Sequence, residues 1–289
     1  MWGGSMIFID ANIYLDLYRN NSGHQLVDIL SEISSDLFIP KQVVDEVLRN
    51  RTKIFIDFIN NQAELPRTLN LPGIIRQSDK DSRSIIEEIK KHNKVLQRMK
   101  DLYPITVEKV NKGIDEISIK LSNLFKNQVT PTIEEIERAK NRKQFGNPPG
   151  KKGDPIGDEI SWEQILSRIN TEESSLWMVT NDNDYTTKYN KKRYLNSFLM
   201  DELKGIDVKC FNSITDTIIE YKSSINEKIN IPEKTVLKSL ADDEAISKLI
   251  IKFEEKCEHV IEIIPNGIYD MYVCSKCHKV LQVFYSDDI

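Results

Sequence analysis

The chain has 289 residues, 45 acidic against 40 basic for a formal charge of −5, and 39% of it is apolar. That length suits one large domain or a main domain with an appendage. No apolar run approaches the ~18 residues of a spanning helix, so a soluble, cytoplasmic protein without a membrane role is expected. Met1-Trp-Gly-Gly-Ser5 offers neither the basic nor the apolar stretch of a secretory leader and reads as an artificial lead-in to a start at Met6. Net acidity counts against a phosphate-rich partner, because nonspecific nucleic-acid binding rests on Lys and Arg neutralising phosphates, unless basic residues are concentrated locally.

Met6-Ile-Phe-Ile-Asp10 is an apolar run ended by an acid, and Ile13, Tyr14, Leu17 and Tyr18 follow at helical spacing, which predicts strand, turn and helix. Leu37-Phe-Ile39 followed by Pro40 and then Val43, Val44, Val47 and Leu48 predicts a second strand feeding a second helix. The helix with Ile85, Ile86, Ile89, Leu96 and Met99 should end at Pro104, and Val107, Val110, Ile114, Ile117, Leu121 and Leu124 mark another. Together they are expected as an inserted helical hairpin. Thr132 and Glu135 stand at capping-box spacing and open a helix to Lys143. Gly146 to Pro155 is dominated by Gly and Pro and must be a loop, with a helix from about Asp158. Leu176–Thr180 and Ile206–Phe211 supply two later strands with a helix between them, and strands alternating with helices predict a parallel α/β sheet. Residues 213–253 read as helical with a break at Pro232.

In such a sheet, ligands gather beyond the carboxyl ends of the strands. Asp10 and Asp182 are expected there, with Glu46 from the helix after the second strand and Asp158 from the first turn of the helix after the Pro/Gly loop. Four converging carboxylates repel one another unless cations intervene, and hard oxygen ligands select Mg²⁺ or Mn²⁺, one or two ions. Each acid has a purely structural alternative: Asp10 or Asp182 as a helix cap, Glu46 on a solvated face, Asp158 favoured by the helix dipole.

Ile7-Phe-Ile-Asp-Ala-Asn-Ile-Tyr-Leu15, Ile39-Pro-Lys-Gln-Val-Val-Asp-Glu-Val-Leu48, Gly157-Asp-Glu-Ile-Ser-Trp162 and Val179-Thr-Asn-Asp-Asn-Asp-Tyr185 resemble the successive motifs of PIN-domain nucleases. The Gly146-Asn-Pro-Pro-Gly-Lys-Lys loop resembles that of a bacterial PIN-like subgroup with a long helical insertion. The resemblance implies a three-layer α/β domain over residues 6–215, with 75–145 as the insertion, in which Asp10, Glu46, Asp158 and Asp182 hold the metal and activate water for phosphodiester cleavage. It also favours Glu46 over Asp45 and Asp158 over Glu159, since helix neighbours point about 100° apart. Asn12, Thr180 and Asp184 are auxiliary candidates. The implied activity is a metal-dependent nuclease, with a single-stranded RNA endonuclease in a toxin, defence or RNA-processing role favoured over a deoxyribonuclease. The alternative is a non-catalytic scaffold that binds nucleic acid or a protein.

Arg142, Lys143, Lys151 and Lys152 bracket the Pro/Gly loop, and Lys188, Lys191, Lys192 and Arg193 follow Asp182 with Tyr185, Tyr189 and Tyr194 interleaved. Cations beside aromatics suit a single strand, whose phosphates pair with charge and whose bases stack. From this pattern Arg142, Lys143, Lys151, Lys152, Lys191, Lys192 and Arg193 are expected to bind substrate. The loop is not a P-loop, which needs four residues between its glycines and Ser or Thr after the Lys.

Five of the eight Cys and His residues fall after residue 256. Cys257, His259, Cys274 and Cys277, with His278 as the alternate to His259, form two short ligand pairs that resemble a minimal structural zinc ribbon over residues 253–289, joined by a helical linker at 216–252. Cys210 is expected as a buried strand residue. A protein partner or a homodimer is expected through the insertion or the zinc module.

Overall fold

A computed structural model describes residues 5–63, 80–150, 153, 155–169, 175–190, 192–203, 205–225, 237, 238, 240, 241, 261–265, 269–274 and 280–285, with the backbone alone for 62, 63, 80–83 and the last three segments. The chain divides into two units, residues 1–244 and 245–289.

The first unit is built on a parallel sheet of β1 (Ser5–Ile9), β2 (Leu37–Phe38), β3 (Ser175–Val179) and β6 (Asp207–Phe211) in the order β2-β1-β3-β6. Ile7 pairs with Leu37 on one side of β1, Ile9 with Val179 on the other, and Val179 with Phe211. Met6, Ile7, Phe8 and Ile9 are all buried, as are Leu176, Trp177, Met178 and Val179. Continuous apolar runs of this kind belong to parallel strands covered on both faces.

Helices α1 (Ala11–Asp16) and α2 (Gly23–Glu32) connect β1 to β2, and α3 (Lys41–Ala63), α4 (Lys80–Lys112), α5 (Glu116–Leu124), α6 (Ile133–Phe145) and α7 (Gly157–Arg168) lead to β3. After the antiparallel hairpin of β4 (Thr186–Tyr189) and β5 (Lys192–Leu195), α8 (Ser197–Glu202) precedes β6, and α9 (Ile214–Ser224) follows it. Helix α2 packs on α5 and α9, α9 lies on β3 and β6, and α7 joins α3 and α6, completing the three-layer α/β arrangement. The chain leaves β1 toward β2 on one side and reaches β3 on the other. The order therefore reverses at β1, and a crevice opens at the carboxyl ends of β1 and β3.

The capping box forms: Thr132 Oγ1 accepts from the Glu135 N–H at 3.2 Å, and Glu135 Oε2 accepts from the Thr132 N–H at 2.7 Å. Pro104 does not end its helix. Helix α4 runs through it to Lys112, because Tyr103, Pro104 and Val107 face Ile56, Ile59 and Asn60 of α3 across a small cavity. This antiparallel packing outweighs the ~3 kcal/mol cost of an interior proline. The actual break falls at Gly113, whose φ of +69° favours glycine and whose Cβ position would lie 2.9 Å from an Arg51 guanidinium nitrogen. Asp115 then caps α5, accepting from the Ser118 N–H at 2.9 Å. The hairpin is thus α3 against α4, while Val110, Leu121 and Leu124 are buried in the main core. Residues 216–224, placed in a linker by sequence, form most of α9, with Ile218 and Tyr221 buried.

The described residues of the second unit form an antiparallel sheet, β7 (Ile261–Pro265), β8 (Tyr269–Cys274) and β9 (Val280–Tyr285), in that order. Cys274 ends β8, its side chain outside the described residues together with Cys257, His259, Cys277 and His278. Among the described residues, no helix is long and apolar enough to cross a membrane.

Candidate active site

Asp10 follows β1 and Thr180 follows β3, side by side at the carboxyl edge of the sheet. Asp10 occupies the N-cap position of α1, yet its side chain makes no capping bond. It accepts instead from Thr180 Oγ1, 2.8 Å from its Oδ2. The same hydroxyl accepts the Asp182 N–H at 2.9 Å, and Asp182 Oδ1 accepts the Asp184 N–H at 2.8 Å. Thr180, wholly buried, thereby ties the first acid to the loop that carries the fourth. Thr186, which sequence reasoning passed over, closes that loop: its N–H and hydroxyl both donate to the Asp182 carbonyl, at 3.2 and 3.0 Å. The four-residue spacing of Asp182 and Thr186 was the available signal.

Burial pushes the Asp10 carboxyl up to about 7, against the Thr180 hydrogen bond and with help from Glu46 and Asp182. Burial likewise raises Asp158 to about 8, reinforced by Asp10, Glu46, Asp182 and Glu159. Glu46 is raised chiefly by burial, opposed by Arg49 and reinforced by Asp182. The four acids lie within one another's fields, although they come from four separate segments. Their neighbours point elsewhere. Asp45 pairs with Lys41 at 2.7 Å. Glu159 is fully buried beneath the Pro/Gly loop, 3.0 Å from Lys143 Nζ, and Gly150 (φ +104°) approaches it so closely that a Cβ would lie 2.4 Å from Oε1.

The donor set is all carboxylate oxygen, and its elevated proton affinity marks a deficit of positive charge, which a hard divalent cation would supply. Among the described residues, no three Asp, Glu, His or Cys side chains are already closed around one ion position. The fit is one of chemistry and charge. Asn12 is exposed on the first turn of α1, and Asp184 enters the loop through its N–H.

Arg142, expected at the substrate, is committed inside the fold. It is buried, with its guanidinium 2.7 Å from both Glu163 and Glu202, and it donates to the Pro148 carbonyl at 2.8 Å. Lys143 is engaged by Glu159. Tyr185 is buried against Phe8 and Trp162, and its hydroxyl donates to the Asp158 carbonyl at 3.1 Å, which removes it from base stacking. Arg193 donates to Thr186 Oγ1 at 2.7 Å and to the Asn181 carbonyl at 3.1 Å. Lys192 lies over the Tyr194 ring, 5.3 Å from its centroid. Lys151, Lys152 and Lys191 lie outside the described residues.

A parallel sheet with its switch point at β1, and four acids coupled at that edge, define the class that a family comparison also returns: a PIN-domain model matches residues 7–185, a span that takes in all four acids. The chain belongs to the PIN-domain family, whose members are typically metal-dependent nucleases. No curated protein and no solved structure matches it.

If Thr180 orients Asp10, Thr180→Val should slow turnover roughly 10- to 100-fold, the range seen when a group holding a metal ligand is lost, while leaving the melting temperature within a few degrees. Parallel kinetics and thermal melts check this, and unchanged turnover would remove Thr180 from the site.

Proposed function

We propose that the chain is a Mg²⁺- or Mn²⁺-dependent nuclease that hydrolyses phosphodiester bonds, with single-stranded RNA as substrate and internal cleavage as its mode. A toxin, defence or RNA-processing role is consistent with that chemistry. The observation that carries the reading is that Asp10, Glu46, Asp158 and Asp182 come together from four segments at the switch point of a PIN sheet, where burial and neighbouring acids raise the first three. Asp10, Glu46, Asp158 and Asp182 would hold the ion, which would supply an activated water and offset charge on the scissile phosphate. Thr180 fixes the Asp10 carboxylate, the Asp184 N–H fixes that of Asp182, and Arg193 with Thr186 braces the loop between them. Tyr185 fills the apolar floor and bonds the Asp158 backbone, which limits water at that side. Structural zinc held by Cys257, His259 or His278, Cys274 and Cys277 is part of the proposal for the second unit, as is a protein partner or second copy there.

The test compares labelled single-stranded RNA and DNA with Mg²⁺, with Mn²⁺ and with chelator. RNA fragments with internal 5′ and 3′ ends that appear only with metal support the reading. No cleavage in either metal, combined with tight binding, would make the chain a scaffold.

A further inference from the structure

We propose that the cavity between β5 and β6 seats one nucleotide of the substrate strand, its base on the Tyr194 ring and a phosphate at Lys192. This rests on the nuclease reading and adds to it a specific binding place outside the acid cluster.

The cavity has a volume of about 590 Å³, within the usual range for small-ligand pockets. Strand β5 contributes Lys192, Arg193 and Tyr194, and β6 contributes Lys209, Cys210 and Phe211. Glu220 at the rim is engaged by Lys209 at 3.0 Å, so among the described lining residues Lys192, Arg193 and Lys209 stand against Asp207 and Glu220, an excess of one positive charge, with Asp182 also within the field of Arg193. Its inner wall is rigid: Phe211 stacks on Trp177 with centroids 5.4 Å apart and planes 6° from parallel, and Lys209 sits over the same indole at 4.5 Å. Its outer wall is adaptable. Tyr194 is 48% exposed, and the Lys192 ammonium lies over its ring. A base can take that face and release the lysine to a phosphate, the combination by which single strands are held without regard to sequence.

Arg193 links this cavity to the acids. Arg193 is one of the residues that line the cavity, its guanidinium donates to the carbonyl of Asn181, the residue before Asp182, and its buried Nε has no hydrogen-bond partner. A strand with its scissile phosphate at the acids therefore has the cavity beside it. A peptide strand adding to β6 is disfavoured, because β5 already lies along that edge and the Leu195 N–H reaches the Cys210 sulfur.

The test uses full-length protein in chelator with labelled oligouridylate of roughly ten nucleotides, a length within known single-strand site sizes. Tyr194→Ala should weaken binding roughly tenfold, the effect of losing one stacked base. Met200→Glu, which puts a negative charge on an exposed side chain lining the cavity, should weaken it comparably, and both should melt like the wild type. Tyr189→Ala, on the same hairpin and more exposed than Tyr194 but outside the cavity, should change nothing. Saturating oligonucleotide should also slow alkylation of Cys210, read by peptide mass spectrometry. Wild-type affinity in both cavity variants, unprotected Cys210, or no oligonucleotide binding by the wild type would each overturn the proposal. Protection and weakened binding in a protein that never cleaves would sink the nuclease reading alone. Normal cleavage with unaltered binding in both variants would sink the nucleotide seat alone.

Discussion

Asp10→Asn should lower cleavage by at least about 100-fold, on the scale of losing one essential electrostatic group, while raising the melting temperature of the metal-free protein at pH 8. The two effects share one cause. A carboxyl that ionises near 3.8 when solvated ionises near 7 here, because burial disfavours its charge and Glu46 and Asp182 add repulsion. Between those values the folded state keeps a proton that the unfolded state has released. Stability therefore falls as pH rises from about 4 to 7, and the whole penalty applies above that. Asp158, raised to about 8, extends the decline by about one further pH unit. At ~1.4 kcal/mol per tenfold change in proton affinity, the rise of Asp10 from 3.8 to about 7 costs on the order of 4–5 kcal/mol at pH 8. An amide carries no charge and can still accept from Thr180 Oγ1. Metal-free wild type should accordingly melt several degrees lower at pH 8 than at pH 5, Mg²⁺ or Mn²⁺ should raise the melting point most at pH 8, and Asp10→Asn should flatten both dependences. Differential scanning calorimetry over this range decides the matter. A pH-independent melt, or a variant destabilised at pH 8, would show that burial and the neighbouring acids do not hold Asp10 above the ordinary carboxylate range.

The parts of this site that could be read from sequence are those encoded over a few residues. An apolar run closed by an acid marks both β1 with Asp10 and β3 with Thr180 and Asp182, since a parallel strand must be buried on both faces and its carboxyl end is where a polar group first reaches the crevice. The preference for Glu46 over Asp45 also has a local sign, because Lys41 stands one helical turn before Asp45 and pairs with it. What the sequence hides is the tertiary partner. Pro104 reads as a helix stop until α3 is known to pack beside it, and Tyr185, expected among the aromatics of a binding face, is buried because its hydroxyl finds the Asp158 carbonyl 27 residues away. Gly113 and Asp115 carry ordinary stop and start chemistry, but the apolar spacing on either side continues in phase and masks them.

Arg142 shows the same difficulty most sharply, since a basic residue beside a Pro/Gly loop reads as a phosphate contact. In the folded chain it joins α6 to α7 through Glu163, to α8 through Glu202, and to the loop through the Pro148 carbonyl. Glu202 in turn accepts from the Trp162 indole at 2.8 Å, and Arg138 shares Glu163 at 2.9 Å. Removing one member of a buried ion pair leaves the other's charge desolvated and unpaired, typically costing about 3–5 kcal/mol, so Arg142→Ala should lower stability by that amount. Arg142→Lys should recover only part of it, because an ammonium cannot match the planar fork that spans two carboxylates and a carbonyl. Arg142→Met with Glu163→Leu should be closer to wild type than Arg142→Ala: the partners left behind, Arg138 and Glu202, are 47% and 28% exposed in their side chains and can turn to water. Urea denaturation of the three variants measures the ordering. Oligonucleotide affinity of the folded double variant provides the opposing readout, since a direct phosphate contact would weaken with loss of the cation and depend less steeply on salt. Near-wild-type affinity with a similar salt dependence is expected. Wild-type stability in Arg142→Ala, together with weakened and less salt-dependent binding, would return Arg142 to the substrate.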